Sequence, residues 1–390
     1  MATQNEWYTV LCGTCSYILP ERYQELTPIG QDAFSAVIRA TDTRTGRYVV
    51  IEKILRPFYT RTHAKRTYRK LKLLICLRHP DANVIQLHDV FTPERTLDDF
   101  QTMCVFHDWY TLDKVIKRRK PFPEDHIRQI IYSIVRGLKF IHSAGVIHRI
   151  FGFDQACTAS KDIQTGYVVT LFVHNLVFVS KRIKTFLIRW WRAPEVITNW
   201  GRYDEKIDLW SIGCIMAELI LLRPVCQGRN NLDQLNKIFD LIGTPDINTI
   251  NEVCAEESRT YLSHMRPRPR QNFDQLFGFQ YDSQRIEPIS GVSPQGRFRT
   301  KSDKNIFISF TFPLITGIDL LGSLLSFDPR QRPTTEEALA HPFLNQYHSL
   351  DKEPTTGHIV DEHQDVEHSV LEWKSIIWHM IQNFVPPSWD

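Results

Sequence analysis

Most of the residues whose types and spacing could do chemistry fall between Val146 and Glu195. That stretch opens with Val146-Ile147-His148-Arg149-Ile150-Phe151-Gly152-Phe153-Asp154-Gln155 and closes with Arg189-Trp190-Trp191-Arg192-Ala193-Pro194-Glu195. An imidazole, a guanidinium and a carboxylate therefore stand at one end. Two hydroxyls follow in Thr165-Gly166-Tyr167, and then an apolar run from Leu171 to Ile188. His174 inside that run reads as structural, because a lone histidine among apolar neighbours lacks the other ligands of a metal site. Cys12-Gly13-Thr14-Cys15 has the spacing of a redox pair or half a zinc site. No second pair at matching spacing accompanies it, so the arrangement reads as a chance feature near a strand.

The elements that must position these groups change character along the chain. Residues 1–22 form an N-terminal extension. Tyr23 to Gly30, Val37 to Ala40 and Arg47 to Leu55 are strand-like, with a polar turn from Asp42 to Gly46, and predict an antiparallel meander. Arg61 to Leu77 has Tyr68, Leu71, Leu74 and Ile75 at helical spacing. Val84 to Phe91 and Met103 to Phe106 predict two further strands. From there the pattern is helical: Glu124 to Ile141, Ile207 to Leu222, Asn231 to Ile242, Ile315 to Leu325 and Glu336 to Ala340. Pro123, Glu124 and Asp125 suit the positive end of the first of these helices. The polar segment from Gln280 to Lys304 reads as a disordered loop. The expected fold is α+β, in two lobes. A β-rich lobe spans 23–106, a hinge 107–113 and a larger helical lobe 114–343, with insertions at 171–188 and 280–312. The remainder, 344–390, is a C-terminal extension.

Bulk composition narrows the function classes. Hydrophobic residues at 42% and charged residues at 23% are ordinary for a globular chain, so a core can form. A net charge of +3, with the basic residues dispersed, gives no case for nucleic-acid binding. No apolar run is long enough to span a bilayer, and no secretory signal is evident. Eight cysteines without such a signal suggest reduced thiols in the cytosol or nucleus.

This order of elements, with the two ends of the 146–195 stretch, resembles a eukaryotic protein kinase. Finer segments resemble the stress-activated branch of the mitogen-activated protein kinases. They are Arg56-Pro57-Phe58, His63-Ala64-Lys65-Arg66-Thr67-Tyr68-Arg69, Asp89-Val90-Phe91-Thr92-Pro93, the run from Gly137 to Ala144, the run from Asp208 to Leu219, and Gly243-Thr244-Pro245. The tail Phe384-Val385-Pro386-Pro387 matches as well, and the resemblance implies that it packs back on the small lobe. It also implies an activity that uses ATP and magnesium, but each site must be judged on its own residues.

The nucleotide slots depart from the family pattern. The glycine loop reads Gly30-Gln31-Asp32-Ala33-Phe34-Ser35-Ala36-Val37, so only the first glycine remains and Asp32 brings a carboxylate towards the phosphates. Such repulsion is worth about 1–4 kcal/mol at a few ångströms in solvent-like surroundings. The family's phosphate-binding lysine falls at Glu52, and Lys53 one residue on should face the opposite side. The partner glutamate falls at Lys70. Both signs are reversed, and a Glu52–Lys70 pair could still tie helix to strand. Val50 takes the place of a small residue above the adenine, and Phe106 is expected to guard the back of the pocket. Ile29, Gly30, Val37, Val50, Lys53 and Phe106 would be the contacts of any weakened nucleotide site.

The catalytic slots are degenerate too. Ile150 follows His148-Arg149 where the family has an aspartate. Without a gap, Gln155 falls at the asparagine that holds the second magnesium, and His174-Asn175-Leu176 at the Asp-Phe-Gly motif. The preferred alignment instead deletes the catalytic loop after Arg149 and puts Gly152 at the magnesium aspartate, with Thr165 and Tyr167 as the dual-phosphorylation pair. The run 171–188 is then an insertion, a space-filling strand or translated intron. Magnesium's demand for oxygen ligands makes a glycine or histidine substitute poor. Glu195 and Arg332 resemble a family pair that bridges the large lobe, and Asp208 is likewise structural. Asp328 resembles part of an acidic docking groove, where Arg330 replaces an expected acid and should weaken basic partners.

The resemblance with these losses implies a kinase-fold protein of stress signalling, catalytically impaired, that acts by binding or competing for partners. ATP and magnesium are its cofactors if any nucleotide is bound, and it has none otherwise. Its expected partners are the upstream kinases, substrates and phosphatases of a cascade, with neither nucleic acid nor membrane. It is expected to be a monomer in cytoplasm and nucleus. The alternative is an active serine/threonine kinase whose sequence here carries a gene-model error.

Overall fold

A computed structural model of the chain describes residues 7–31, 33–107, 122–149, 156–158, 169–171, 177–178, 189–199, 203–278 and 313–387. The small lobe is a five-stranded antiparallel sheet in the order β3-β4-β5-β7-β6. Its strands are β3 (Tyr23–Gln31), β4 (Ser35–Asp42), β5 (Arg47–Ile54), β6 (Leu87–Phe91) and β7 (Met103–His107). β5 is buried almost without interruption from Val49 to Ile54, because both faces of the sheet are covered. Helix α1 (Arg61–Cys76) covers one face, and Ala64, Thr67, Tyr68 and Leu71 are buried on it.

The other face lies under a hairpin formed by β1 (Trp7–Cys12) and β2 (Cys15–Pro20). Part of the expected N-terminal extension is therefore sheet, and Tyr17 and Leu19 join Tyr23, Ile38, Ile51 and Phe106 in a separate core. The hairpin accounts for the cysteine spacing. Cys12 and Cys15 are register partners on either side of a two-residue turn. Gly13 sits there at φ +63°, where a glycine avoids the Cβ penalty.

The large lobe is built on α2 (Glu124–Ser143) and α3 (Pro194–Thr198), followed by α4 (Lys206–Leu221) and α5 (Asn231–Ile242). Ile127, Ile130, Ile131, Ile134, Leu138 and Ile141 line the buried face of α2. α4 is buried from Ile207 to Leu221, as an all-apolar helix must be. The later helices lie at Pro313–Leu324 and Thr335–Ala340, each starting slightly before the expected first residue. Short helices at Ile247–Val253, Glu256–Ser263 and Phe273–Phe277 were not foreseen.

A final helix, Val370–Gln382, was also missed, although its start signal is plain. Ser369 and Glu372 form a capping box, with the Ser369 hydroxyl accepting from the Glu372 amide and the Glu372 carboxylate accepting from the Ser369 amide. This helix lies against α1, where Trp373 is buried with its ring centroid 4.8 Å from that of Tyr68 and the planes tilted by 34°. Tyr68 also donates to Asp361 at 2.9 Å. Residues 108–121, which include most of the expected hinge, and residues 279–312 lie outside the described set.

Candidate functional site

The cleft is set by which side chains β5 and β7 send to the α1 face. Val50 is opposite His107, Ile51 opposite Phe106 and Glu52 opposite Val105. Cross-strand partners share a face and successive residues alternate. Val50, Glu52, Val105 and His107 therefore point towards α1, whereas Ile51, Lys53, Cys104 and Phe106 point towards the hairpin. One expectation is corrected here. Phe106 does not guard the cleft: it is fully buried in the hairpin-side core, with its ring 5.1 Å from Tyr23. His107 takes the cleft-facing position, and a one-residue step on a strand is the whole reason.

Glu52 and Lys70 meet across this face. Lys70 Nζ lies 2.5 Å from Glu52 Oε2, and His107 Nε2 lies 3.7 Å from the same oxygen. Glu52 is 1% exposed. The strand carboxylate, the helix ammonium and the imidazole thus form a buried polar cluster, and Val50, also buried, lies two residues before Glu52 on the same face.

Lys53 is the second correction. Its amine donates to the Ser16 carbonyl at 2.7 Å and lies 5.8 Å over the Tyr17 ring, on the hairpin side. It is not a contact of the cleft, and no other residue on the α1 face of β5 replaces it.

At the glycine-loop slot, Gly30 pairs with Val37 and Gln31 with Ala36, so the strands run close to the turn. A Cβ built on Gly30 would meet nothing within 4 Å, so no close approach requires the glycine there. Ile29 is half-buried beside it. Phe34 turns outward, 48% exposed, with the Arg66 guanidinium 5.5 Å from its ring. Asp32 lies outside the described residues.

The anchor of the catalytic segment is intact up to Arg149. Asp208, fully buried on α4, accepts from the His148 and Arg149 amides at 2.8 Å each. Its Oδ2 also lies 2.9 Å from His142 Nε2. Arg149 adopts φ +65°, a left-handed conformation rare for a side chain with a Cβ. Its guanidinium is buried 5.5 Å over the Tyr203 ring, and that burial holds its pKa below the usual arginine range. The clamp that aims the next residue is retained, yet that residue is Ile150. Ile150, Gly152, Asp154, Gln155, Thr165 and Tyr167 lie outside the described residues.

Strand pairing bears on the two alignments. β8 (Val146–Ile147) pairs with β11 (Val177–Phe178), and β9 (Ala156–Thr158) with β10 (Val169–Leu171). The chain thus forms a strand pair between Arg149 and Phe178 and returns to β8 only at Val177. A strand pair between these two segments leaves room for the gap-free alignment beside the deletion, and both Gly152 and His174 lie outside the described residues.

Two other sites are structural. Arg332 and Glu195 form a bidentate pair at 2.6 and 2.8 Å, both buried, and the Arg332 guanidinium lies 5.1 Å over Trp210. Asp328 is also corrected. It accepts from the Arg330 amide at 2.9 Å and from the Arg330 guanidinium at 2.7 Å, and Arg330 reaches on to Glu252 at 2.6 Å. The arginine outweighs the effect of burial and holds the Asp328 carboxyl below the usual aspartate range. Asp328 is therefore internally neutralised and offers no open acidic surface. No group of three or more His, Cys, Asp or Glu among the described residues could hold a metal ion, and no described helix is long and apolar enough to cross a membrane.

A lobe of five antiparallel strands under one helix, a helical lobe, and an aspartate clamp on His148-Arg149 define a protein kinase fold. The family model "protein kinase domain" matches residues 23–150 and 175–344. The gap between the two matched segments is thus 151–174, which holds Thr165 and Tyr167 but little of the expected insertion at 171–188. Mitogen-activated protein kinase 14 of Xenopus laevis is 34% identical over 390 residues, covering 95% of this chain and 93% of that protein. Mitogen-activated protein kinase pmk-1 of Caenorhabditis elegans is 34% identical over 400 residues, covering 97% and 90%. The chain belongs to the mitogen-activated protein kinases, on their stress-activated branch.

The residues do not fit the nucleotide that the family uses. Magnesium-bound ATP needs a cation on the cleft face of β5. Here a buried carboxylate stands in that place, and its one ammonium neighbour is taken up by it.

Proposed function

We propose that this protein is a catalytically impaired member of its family, acting in stress signalling by holding cascade partners or competing for upstream kinases. The observation that carries this reading is the buried Glu52–Lys70 pair. A site built for phosphates would gain from a free cation on β5. This one would set a carboxylate against them, at an unfavourable 1–4 kcal/mol, roughly, near the surface and more when buried. Ile150, with no proton-accepting group after Arg149, removes the proton acceptor independently. ATP and magnesium would act here only if some nucleotide still bound. The partners in this reading are upstream kinases, substrates and phosphatases, met by a monomer in cytoplasm and nucleus. The reading does not depend on Thr165 or Tyr167. A gene-model error is a poor rival explanation, since a splicing fault does not produce two opposite-sign replacements that meet in space.

The test is a thermal-shift titration of the full chain with ATP and magnesium, beside a phosphotransfer assay on a generic basic protein. The melting temperature should not move and no phosphate should be transferred. A saturable rise in melting temperature with ATP and magnesium would overturn the proposal.

A further inference from the structure

The strand lysine of this chain has an address of its own. Lys53 lines a cavity of about 620 Å³ at the end of β5, beside Gln31 and Ala33 of the turn that joins β3 to β4. Arg56, Gln31, Gln101 and Thr102 also line it. The volume is that of a small-molecule site. Among the described residues its charged lining residues, Lys53 and Arg56, are cations, and the uncharged polar ones can donate; Asp32, between Gln31 and Ala33, lies outside the described residues. The Gln31 carbonyl accepts from the Thr14 hydroxyl, which leaves the amide nitrogen of Gln31 as the available donor. Lys53 spends one N–H on the Ser16 carbonyl and retains two.

These cations differ from their neighbours. Arg22 is paired with Asp42, Lys70 with Glu52 and Lys72 with Glu362. Among the described residues, neither Lys53 nor Arg56 has a carboxylate partner. Glu94 is not among the lining residues; it lies behind Thr102, where its carboxylate accepts from the Thr102 amide and the Thr92 hydroxyl. Arg56 is held at φ +51°, a conformation rare for a residue with a Cβ, in the turn that follows β5. The backbone there is fixed by the Leu55 amide donating to Phe34 at 2.7 Å and the Tyr59 amide donating to Arg56 at 3.2 Å.

We propose that this cavity binds a phosphate group, with Lys53 and Arg56 as its two cations and Gln31, Gln101 and Thr102 as neutral donors. Lys53 and the Arg56 guanidinium, which lies 5.9 Å over the Tyr59 ring, line one cavity, and a lysine with an arginine suits a phosphate dianion. The proposal does not rest on the state of the cleft and holds whether or not the protein transfers phosphate. The shared chemistry is the phosphate, whether free or carried on a peptide.

The full chain should be titrated by calorimetry with inorganic pyrophosphate, and separately with a phosphoserine peptide and its unphosphorylated twin. The expected result is saturable binding of at least one phosphate-bearing probe. Arg56→Asn should weaken it tenfold or more, because asparagine tolerates positive φ and keeps the turn. Lys53→Gln should do the same, while Arg229→Gln, an exposed arginine preceding α5, should leave it unchanged. The arm that binds identifies the source. Absence of saturable binding in both arms, equal binding by Arg56→Asn, or equal loss in Arg229→Gln would overturn the proposal.

Discussion

Lys70 Nζ on α1 lies 2.5 Å from Glu52 Oε2 on β5, with the Glu52 side chain out of solvent and that of Lys70 10% exposed. Taken singly, each residue is the wrong sign for a kinase cleft. Together they join helix to sheet, a contact that serves the fold whether or not the cleft is catalytic. A buried pair is hard to break from one side because the remaining charge has no water to turn to.

Lys70→Met should therefore destabilise the protein by about 3–5 kcal/mol, read from urea denaturation midpoints. Replacing both, as Glu52→Leu with Lys70→Met, should recover most of that loss, since a buried ion pair and an apolar pair of similar volume are often close in stability. A double variant as unstable as the single one would refute the pairing.

Swapping the signs, Glu52→Lys with Lys70→Glu, should keep stability to within about 1 kcal/mol if the geometry is tolerant of reversal. The swap places a cation on the cleft face of β5. ATP-dependent stabilisation should rise in this variant, while phosphotransfer stays absent because Ile150 is unchanged. Thermal shift and a radiolabel assay separate the two outcomes.

Arg332 is a second buried pole. Arg332→Met leaves Glu195 without its bidentate partner and also removes bonds to the Ser326 and Phe327 carbonyls. The expected cost is about 3–5 kcal/mol. Circular dichroism melts would detect it as a drop in melting temperature of several degrees or more. An unchanged melt would show that the lobe does not depend on this bridge.

Glu353 supplies a pH dependence. Burial alone raises its pKa, but hydrogen bonds from His348, Lys139 and the Ser349 amide outweigh that and leave it below the usual glutamate range. A carboxyl depressed in the folded state stabilises the fold above its unfolded pKa, about 4.3, and that stability is lost as pH falls through the lower folded value. Between about pH 6 and pH 3, wild type should lose stability more steeply than Glu353→Gln. Parallel curves would show that the carboxylate contributes nothing through its charge.

How much of this was legible in the sequence depends on the range over which each signal acts. Helical periodicity located α2, α4 and α5 closely, because the apolar stripe is a local property of the chain. The N-terminal hairpin was missed, since Gly13-Thr14 is a weak turn signal and its strands are short. The C-terminal helix was signalled by Ser369 and Glu372 but not read.

The sequence alone determined the family, the absence of an aspartate after Arg149, and the exchange of signs at positions 52 and 70. Those are matters of residue type at matched places, and no fold can add a carboxylate that the chain lacks. Only the tertiary structure decided that Glu52 and Lys70 touch, that His107 rather than Phe106 faces the cleft, and that Asp328 is neutralised by Arg330. The first and third depend on side chains meeting in space. The second depends on strand register, where one residue of slip exchanges the two faces of the sheet.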